Sequence, residues 1–238
     1  MGTMRDQEER EHGGSTRLVF EQLRGMIVNG RLSPGTWMVE ADIAGRLQLS
    51  RTPVRGALHL LEREGYVQSN GAGLKARMVV SPLTREDAGE LYTIIGRLEG
   101  VGAKLAASLA TTARRALTRR LREVNRELSR LGRGRQPDAG RIFELDLGFH
   151  RAILEAAAGP RLLDLHGRIQ PQAERYWRLY AGAITDELHL SVAEHNSIIA
   201  ALSRGDGEAA ERGIQLNWSN GFARLARVID ALGERGGW

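Results

Sequence analysis

The sequence predicts a mainly α-helical chain, with an N-terminal winged helix-turn-helix and a C-terminal all-α bundle of about six helices. Three helical segments precede two short strand-like runs, which are separated by a glycine-containing turn at Gly71-Ala72-Gly73. Ser81-Pro82 then interrupts the chain. Beyond residue 82 the apolar residues repeat at helical spacing and never alternate as in a strand. We therefore expect a disordered tail over 1–14, a winged domain over 15–81 and a helical domain over 82–232.

The elements of the winged domain follow from local signals. Apolar residues repeat at helical spacing from Leu18 to Val28, and Asn29-Gly30 ends that helix. A second short helix is predicted over 40–47 and a third over 51–64, where Ser50 is a favourable N-cap and Pro53 is tolerated in the first turn. Residues 66–69 and 76–80 are predicted to be the two strands of a hairpin, the wing.

The second domain has no strand pattern and no internal repeat. Its predicted helices cover 84–109, 111–131, 139–157, 160–180, 186–204 and 206–232. The loop over 132–138 is rich in glycine, arginine and proline, and the domain is expected to be an all-α bundle. This arrangement places the chemistry-bearing residues of the second half on helices rather than on loops.

Composition excludes several classes of protein. No run of eighteen apolar residues exists, so no membrane span is expected. The absence of cysteine excludes disulfides and thiolate metal sites, and it is compatible with the cytoplasmic location that we expect. Between residues 17 and 82 there are nine basic and five acidic side chains, a balance suited to DNA.

The start of the third helix carries two arginines four residues apart. Arg51 and Arg55 therefore project together from the N-terminal end, where a recognition helix contacts bases and phosphates. Arginine also suits bidentate contact with guanine or phosphate. Neighbouring hydroxyls, the glycines of the wing and a wing lysine complete the predicted DNA-contacting set, which is Ser50, Arg51, Thr52, Arg55, Gly71, Gly73 and Lys75.

These residues resemble a known signature. Ser50-Arg51-Thr52-Pro53-Val54-Arg55, with Leu61-Glu62-Arg63-Glu64-Gly65 after it, is similar to the motif of GntR-family bacterial transcription regulators. The resemblance implies a homodimer that binds double-stranded operator DNA, most often as a repressor. Gly56 departs from the family pattern, which usually has glutamate there.

A second constellation lies in the helical domain. Asp146 and His150 are four residues apart, so both point from one helix face, and His195 lies on a later helix. One carboxylate and two imidazoles converging from two helices suit a divalent transition metal. An ordinary surface ion pair between Asp146 and His150 is the alternative.

The residues around this constellation resemble the FadR-type C-terminal domain called FCD. Phe149-His150 and Glu194-His195, each followed by apolar residues, carry the likeness. Many members of that branch bind a metal through one aspartate and three histidines. Here Asn217 stands where the last histidine is expected. The resemblance thus implies Zn, Ni or Mn at Asp146, His150, His195 and Asn217, with three possibilities open: a weakened site, a site completed by Asn217 and water, or no metal.

The resemblance also implies a small-molecule effector. An arginine on the first helix of this domain often clamps an effector carboxylate beside the metal, and Arg97 is the residue in that region. The expected protein is a transcription regulator, not an enzyme, whose operator affinity depends on a small carboxylate metabolite. Two alternatives remain: a metal-dependent enzyme using a two-histidine, one-carboxylate site, and a DNA-binding dimer whose pocket has decayed.

Overall fold

The computed structural model describes residues 4–70, 77–132, 138–184 and 187–236. The chain folds into two units. One comprises the residues up to Thr84 together with those from Glu234 onwards, and the other comprises Arg85–Gly233. Helices dominate both, which confirms the mainly α fold class. Within the described ranges, no helix combines the length and apolar character that crossing a bilayer requires.

The first unit is a winged helix-turn-helix. Its elements are α1 (Met4–Val28), α2 (Glu40–Leu47), α3 (Arg51–Arg63), β1 (Val67–Asn70) and β2 (Arg77–Val80). The strands pair antiparallel, with Val67 opposite Val80. Trp37 adds an isolated bridge to Val79, so the segment before α2 is tied to the hairpin.

One buried face fixes the position of α3. Val54, Leu58 and Leu61 are at most 1% exposed and pack into the core of this unit. Gln48, between α2 and α3, adopts the left-handed region at φ 54° and lets the chain turn directly into α3. The opposite face of α3 is consequently left at the surface.

The N-terminal segment differs from the expectation. The sequence predicts a disordered tail over 1–14, whereas α1 begins at Met4. Residues 5–11 are rich in arginine, glutamate and glutamine, which are good helix formers, so α1 extends backwards. Gly13 and Gly14 lie inside the helix at a penalty of about 1 kcal/mol each relative to alanine.

The second unit contains the six helices expected from the sequence. They are α4 (Arg85–Ala107), α5 (Thr111–Leu131), α6 (Ala139–Ala157), α7 (Pro160–Ile184), α8 (Leu188–Arg204) and α9 (Gly207–Leu232). Helix α7 runs four residues beyond its predicted end at 180. Asp138 and Asp206 cap α6 and α9, since their side chains accept backbone N–H bonds.

Helix α4 lies at the centre of this bundle and packs against α6, α7, α8 and α9. Its approach to α9 is close: a Cβ atom at Gly96 would lie 3.0 Å from the Cβ of Trp218. Apolar side chains from α4, α6, α8 and α9 build the core, among them Ala103, Phe149, Ile198, Leu202 and Ile214. Residues on the inner face of α4 therefore reach the middle of the unit.

Candidate functional site

The N-terminal end of α3 is exposed. The surface there includes the four predicted contact residues of this helix end, which are Ser50, Arg51, Thr52 and Arg55. Ser50 occupies the N-cap position, but its side chain makes no capping hydrogen bond. A partner that approaches this end of α3 would therefore meet two hydroxyls and two guanidinium groups.

Arg55 is held by a residue that sequence reasoning missed. Its Nε and Nη2 atoms donate to both carboxylate oxygens of Glu40, at 2.9 to 3.2 Å. The hydrogen bonds from Arg55 lower the pKa of Glu40. Glu40 is the first residue of α2, fifteen positions before Arg55, and no periodicity links the two. Glu40 thus supplies an orienting carboxylate for Arg55 from another helix.

The departure at Gly56 has a steric basis. A Cβ atom there would lie 3.0 Å from Cγ2 of Thr16. Helix α1 therefore passes so close to α3 that a larger residue would displace Thr16.

Of the predicted wing residues, Gly71, Gly73 and Lys75 lie outside the described residues. Arg77, on β2, places its guanidinium 5.7 Å from the centre of the Trp37 ring.

The second unit brings Asp146, His150 and His195 together. One ligand atom from each lies within 4.8 Å of the others. Asp146 and His150 come from α6, and His195 from α8. Asp146, His150 and Asn217 also line a cavity of about 90 Å³.

His195 offers an unpartnered nitrogen to this cluster. Its Nδ1 pairs with Oδ1 of Asn125 at 3.1 Å, while its buried Nε2 has no hydrogen-bond partner within the part of the chain that is described. Oδ1 of Asp146 lies 3.6 Å from that Nε2. Burial is the main cause that lowers the pKa of His195 well below its usual value, and the neighbouring His150 is the second, so the imidazole is neutral. A neutral, oriented imidazole facing a carboxylate fits a metal ion.

A buried carboxylate orients His150. Glu99, on α4, accepts from Nδ1 of His150 at 2.7 Å and from Nε1 of Trp218 at 2.7 Å, and its other oxygen pairs with Nε2 of His166 at 2.9 Å. Burial alone would raise the pKa of Glu99, but the two histidines outweigh it and lower the pKa to about 2. Burial likewise opposes protonation of His150, yet Glu99, Asp146 and Asn217 raise its pKa to about 9. A carboxylate on Nδ1 directs Nε2 toward the site, as in many metal-binding histidines.

Asn217 faces the same cavity and is tied to Glu194. Its Nδ2 donates to Oε2 of Glu194 at 2.7 Å, and its side chain also hydrogen bonds with His150. Glu194 in turn receives two bonds from Arg224, at 2.9 and 3.1 Å, and one from Asn220. Glu99, Glu194 and Arg224 are site residues that sequence reasoning did not find.

Arg97 does not join this site. It is exposed and donates to Oε1 of Gln215 at 3.0 Å, and it does not line the cavity around Asp146. The structure therefore does not bring Arg97 to the cavity, for a geometric reason. Glu99 points inward, and a residue two positions away on a helix is rotated by about 200°, to the opposite side. Among the described residues, Arg224 rather than Arg97 lines the cavity.

Comparisons with known proteins agree with this architecture. Residues 90–217 match the FCD domain, and residues 15–73 match the model described as "Bacterial regulatory proteins, gntR family". The chain is 28% identical over 202 residues to a probable D-xylose utilization operon transcriptional repressor of Paenarthrobacter nicotinovorans, covering 82% of this chain and 84% of the relative. It is 22% identical over 211 residues to the HTH-type transcriptional regulator YdhC of Bacillus subtilis, covering 89% and 91%.

Solved structures show the same fold. Escherichia coli McbR/YncC superposes with a TM-score of 0.64 at 21% identity, covering 90% of this chain and 97% of that one. A putative transcriptional regulator from Rhodococcus sp. RHA1 gives 0.63 at 22% identity, covering 88% and 96%. The matched families and relatives are regulators, so the enzyme alternative is not supported. The chain belongs to the FCD-domain family, carries a GntR-type DNA-binding domain, and is a DNA-binding transcription regulator rather than an enzyme.

Proposed function

We propose that the protein is a cytoplasmic, homodimeric repressor whose operator affinity is controlled by a small carboxylate bound beside a divalent metal. The observation that carries this proposal is the trio of Asp146, His150 and His195, with one buried imidazole nitrogen unpartnered among the described residues. Two winged domains would occupy successive major grooves of a pseudo-palindromic site. Asp146, His150 and His195 would hold the ion, which supplies positive charge to the cavity when bound.

Charge in the cavity supports a metal-dependent carboxylate effector. Asp146 and Glu174 line the cavity, and the guanidinium of Arg224 is already paired with Glu194. A divalent ion bound to Asp146, His150 and His195 would add positive charge to this lining and attract the carboxylate of an organic acid. The cavity, of about 90 Å³, has room for a small organic acid.

An outward stripe on α4 supports the homodimer. Ile94, Leu98, Val101 and Leu105 repeat at intervals of four, three and four, the spacing of a coiled-coil seam. Ile94, Val101 and Leu105 are 36 to 45% exposed. We call these four residues the outer seam. A second copy of α4 is the natural occupant, because a two-fold axis pairs such a stripe with itself.

DNA binding is tested first. Arg51→Ala should weaken binding to the DNA upstream of the protein's own gene by roughly 1–3 kcal/mol if Arg51 reads a base. Arg63→Ala, at the exposed C-terminal end of α3, is the matched control and should change affinity little. Fluorescence anisotropy at fixed salt measures both. Equal affinities for the Arg51 variant and wild type would contradict the assigned role.

Metal and effector are tested together. His195→Ala should abolish bound metal in elemental analysis of protein purified without tag or chelator, whereas His189→Ala, exposed on the same helix, should retain it. Chelator-treated wild type should also lose its DNA response to small carboxylates. Unchanged metal content in the His195 variant would remove the metal from the proposal.

The dimer has its own test. Val101→Glu should shift the protein toward monomer in sedimentation velocity, since it places a charge in the outer seam. Leu190→Glu is the control, because Leu190 is 41% exposed on α8 and lies outside the seam. If both variants remain dimeric, another surface forms the dimer.

A further inference from the structure

The orientation of the Asn217 amide is fixed by its surroundings. Its Nδ2 donates to Oε2 of Glu194 at 2.7 Å. Turning the amide over would place its oxygen against that carboxylate, and two acceptors would face each other. The amide oxygen is therefore the atom presented to His150 and the cavity, which Asn217 lines with only 6% of its surface exposed.

Glu194 is itself held in one state. Arg224 donates to both of its oxygens, at 2.9 and 3.1 Å, and Asn220 donates to Oε1 at 2.9 Å. With the bond from Asn217, four donor contacts reach the two oxygens of Glu194, so this carboxylate acts only as an acceptor. A group that only accepts cannot exchange roles with the amide. The Glu194–Arg224 pair thus serves as a support that aims an oxygen into the metal site.

We infer that the amide oxygen of Asn217 is positioned as a metal ligand and that it shifts the metal preference of the site away from Zn(II) toward Mn(II). The inference rests on the proposed metal at Asp146, His150 and His195. With Asn217 the donor set is two imidazole nitrogens and two oxygens. Imidazole suits Zn, whereas carboxylate, carbonyl and water oxygens suit Mn. Replacing the expected third imidazole by an amide oxygen should therefore weaken Zn binding more than Mn binding.

The experiment compares metal affinities in metal-free wild type and in Asn217→His. Zn(II) is measured by competition with a chromophoric chelator, and Mn(II) by the loss of the free-ion electron paramagnetic resonance signal. The ratio of Zn to Mn affinity should rise at least about tenfold in Asn217→His, because even changes in residues that only support a ligand alter affinity by 10–100-fold.

A matched control separates ligation from support. Asn220 donates to Glu194 as Asn217 does, but it does not line the cavity. Asn220→Ala should leave Mn affinity within about threefold of wild type, while Asn217→Ala should lower it by at least about tenfold. Circular dichroism verifies that each variant is folded.

The outcomes are distinct. An unchanged Zn-to-Mn ratio in Asn217→His, with both metals bound, would overturn the inference and leave the metal proposal standing. Equal Mn affinity in wild type and Asn217→Ala would do the same. No binding of either metal to wild type or to Asn217→His would overturn the metal proposal as well.

Discussion

Replacing Glu99 by glutamine should destabilise the metal-free protein by about 3 kcal/mol. Glu99 is 2% exposed and pairs with the rings of His150, His166 and Trp218. Its pKa falls from 4.5 to about 2, which corresponds to roughly 3 kcal/mol of preference for the charged form. Breaking one partner of a buried pair costs about 3–5 kcal/mol, the same range. Because the folded-state pKa is lowered, this stabilisation is complete above pH 4.5 and is lost as pH falls through about 2.

Glutamine fills the same space but changes the chemistry. One of the two terminal groups of glutamine is an NH₂ donor. That donor must face a ring nitrogen that donates to Glu99 in the wild type. Urea unfolding of the full chain at pH 7, followed by circular dichroism, measures the loss. Glu208→Gln is the control, because Glu208 is an exposed partner of Lys104 and should leave the midpoint unchanged. A midpoint for Glu99→Gln equal to that of wild type would refute the reasoning, since the buried cluster would then contribute nothing net.

Three further outcomes are expected. Glu40→Gln should release Arg55 and remove a charge that repels phosphate, so binding to non-specific DNA should tighten and its salt dependence should steepen by about one unit of slope; weaker binding in a salt titration would contradict this. Gly148→Ala should stabilise the protein by about 0.4–1 kcal/mol, because the added Cβ meets no atom within 4 Å. Gly102→Ala should destabilise it by about 1–3 kcal/mol, because the added Cβ would lie 2.6 Å from an atom of a buried leucine. Thermal unfolding of the two variants checks the sign of each change. In metal-free protein the raised pKa of His150 adds stability that is complete below pH 6.5 and is lost as pH rises through about 9, so the free energy of unfolding should fall over that range; a constant value would exclude this contribution.

Local signals were sufficient to predict most of the fold. Helix α3 begins after Ser50 as expected, and α6 and α9 begin at aspartate caps. The start of α1 was missed because helix formers in 5–11 outweigh two glycines. Asp146 and His150 could be paired from sequence, since four residues on a helix place two side chains on one face.

The remaining site residues could not be found in this way. Glu99 is 51 residues from His150, and Glu194 is 30 residues from Arg224. Helical periodicity indicates which face of a helix is buried. It does not indicate which helices pack together or which residues along their axes come into contact. Arg97 shows this limit, because it lies on the opposite side of α4 from the buried Glu99.

The two sides of α4 suggest how the effect of ligand binding could be transmitted through the protein. One side of this helix carries Glu99, which contacts the ring of a proposed metal ligand, and the other side carries the outer seam. The signal therefore has only the diameter of one helix to cross, about 10 Å. A rotation of α4 by roughly 10° about its own axis would displace side chains at a radius of about 5 Å by nearly 1 Å. In the proposed homodimer, such a turn would shift the outer seam against the partner subunit's α4 without a long chain of intervening residues.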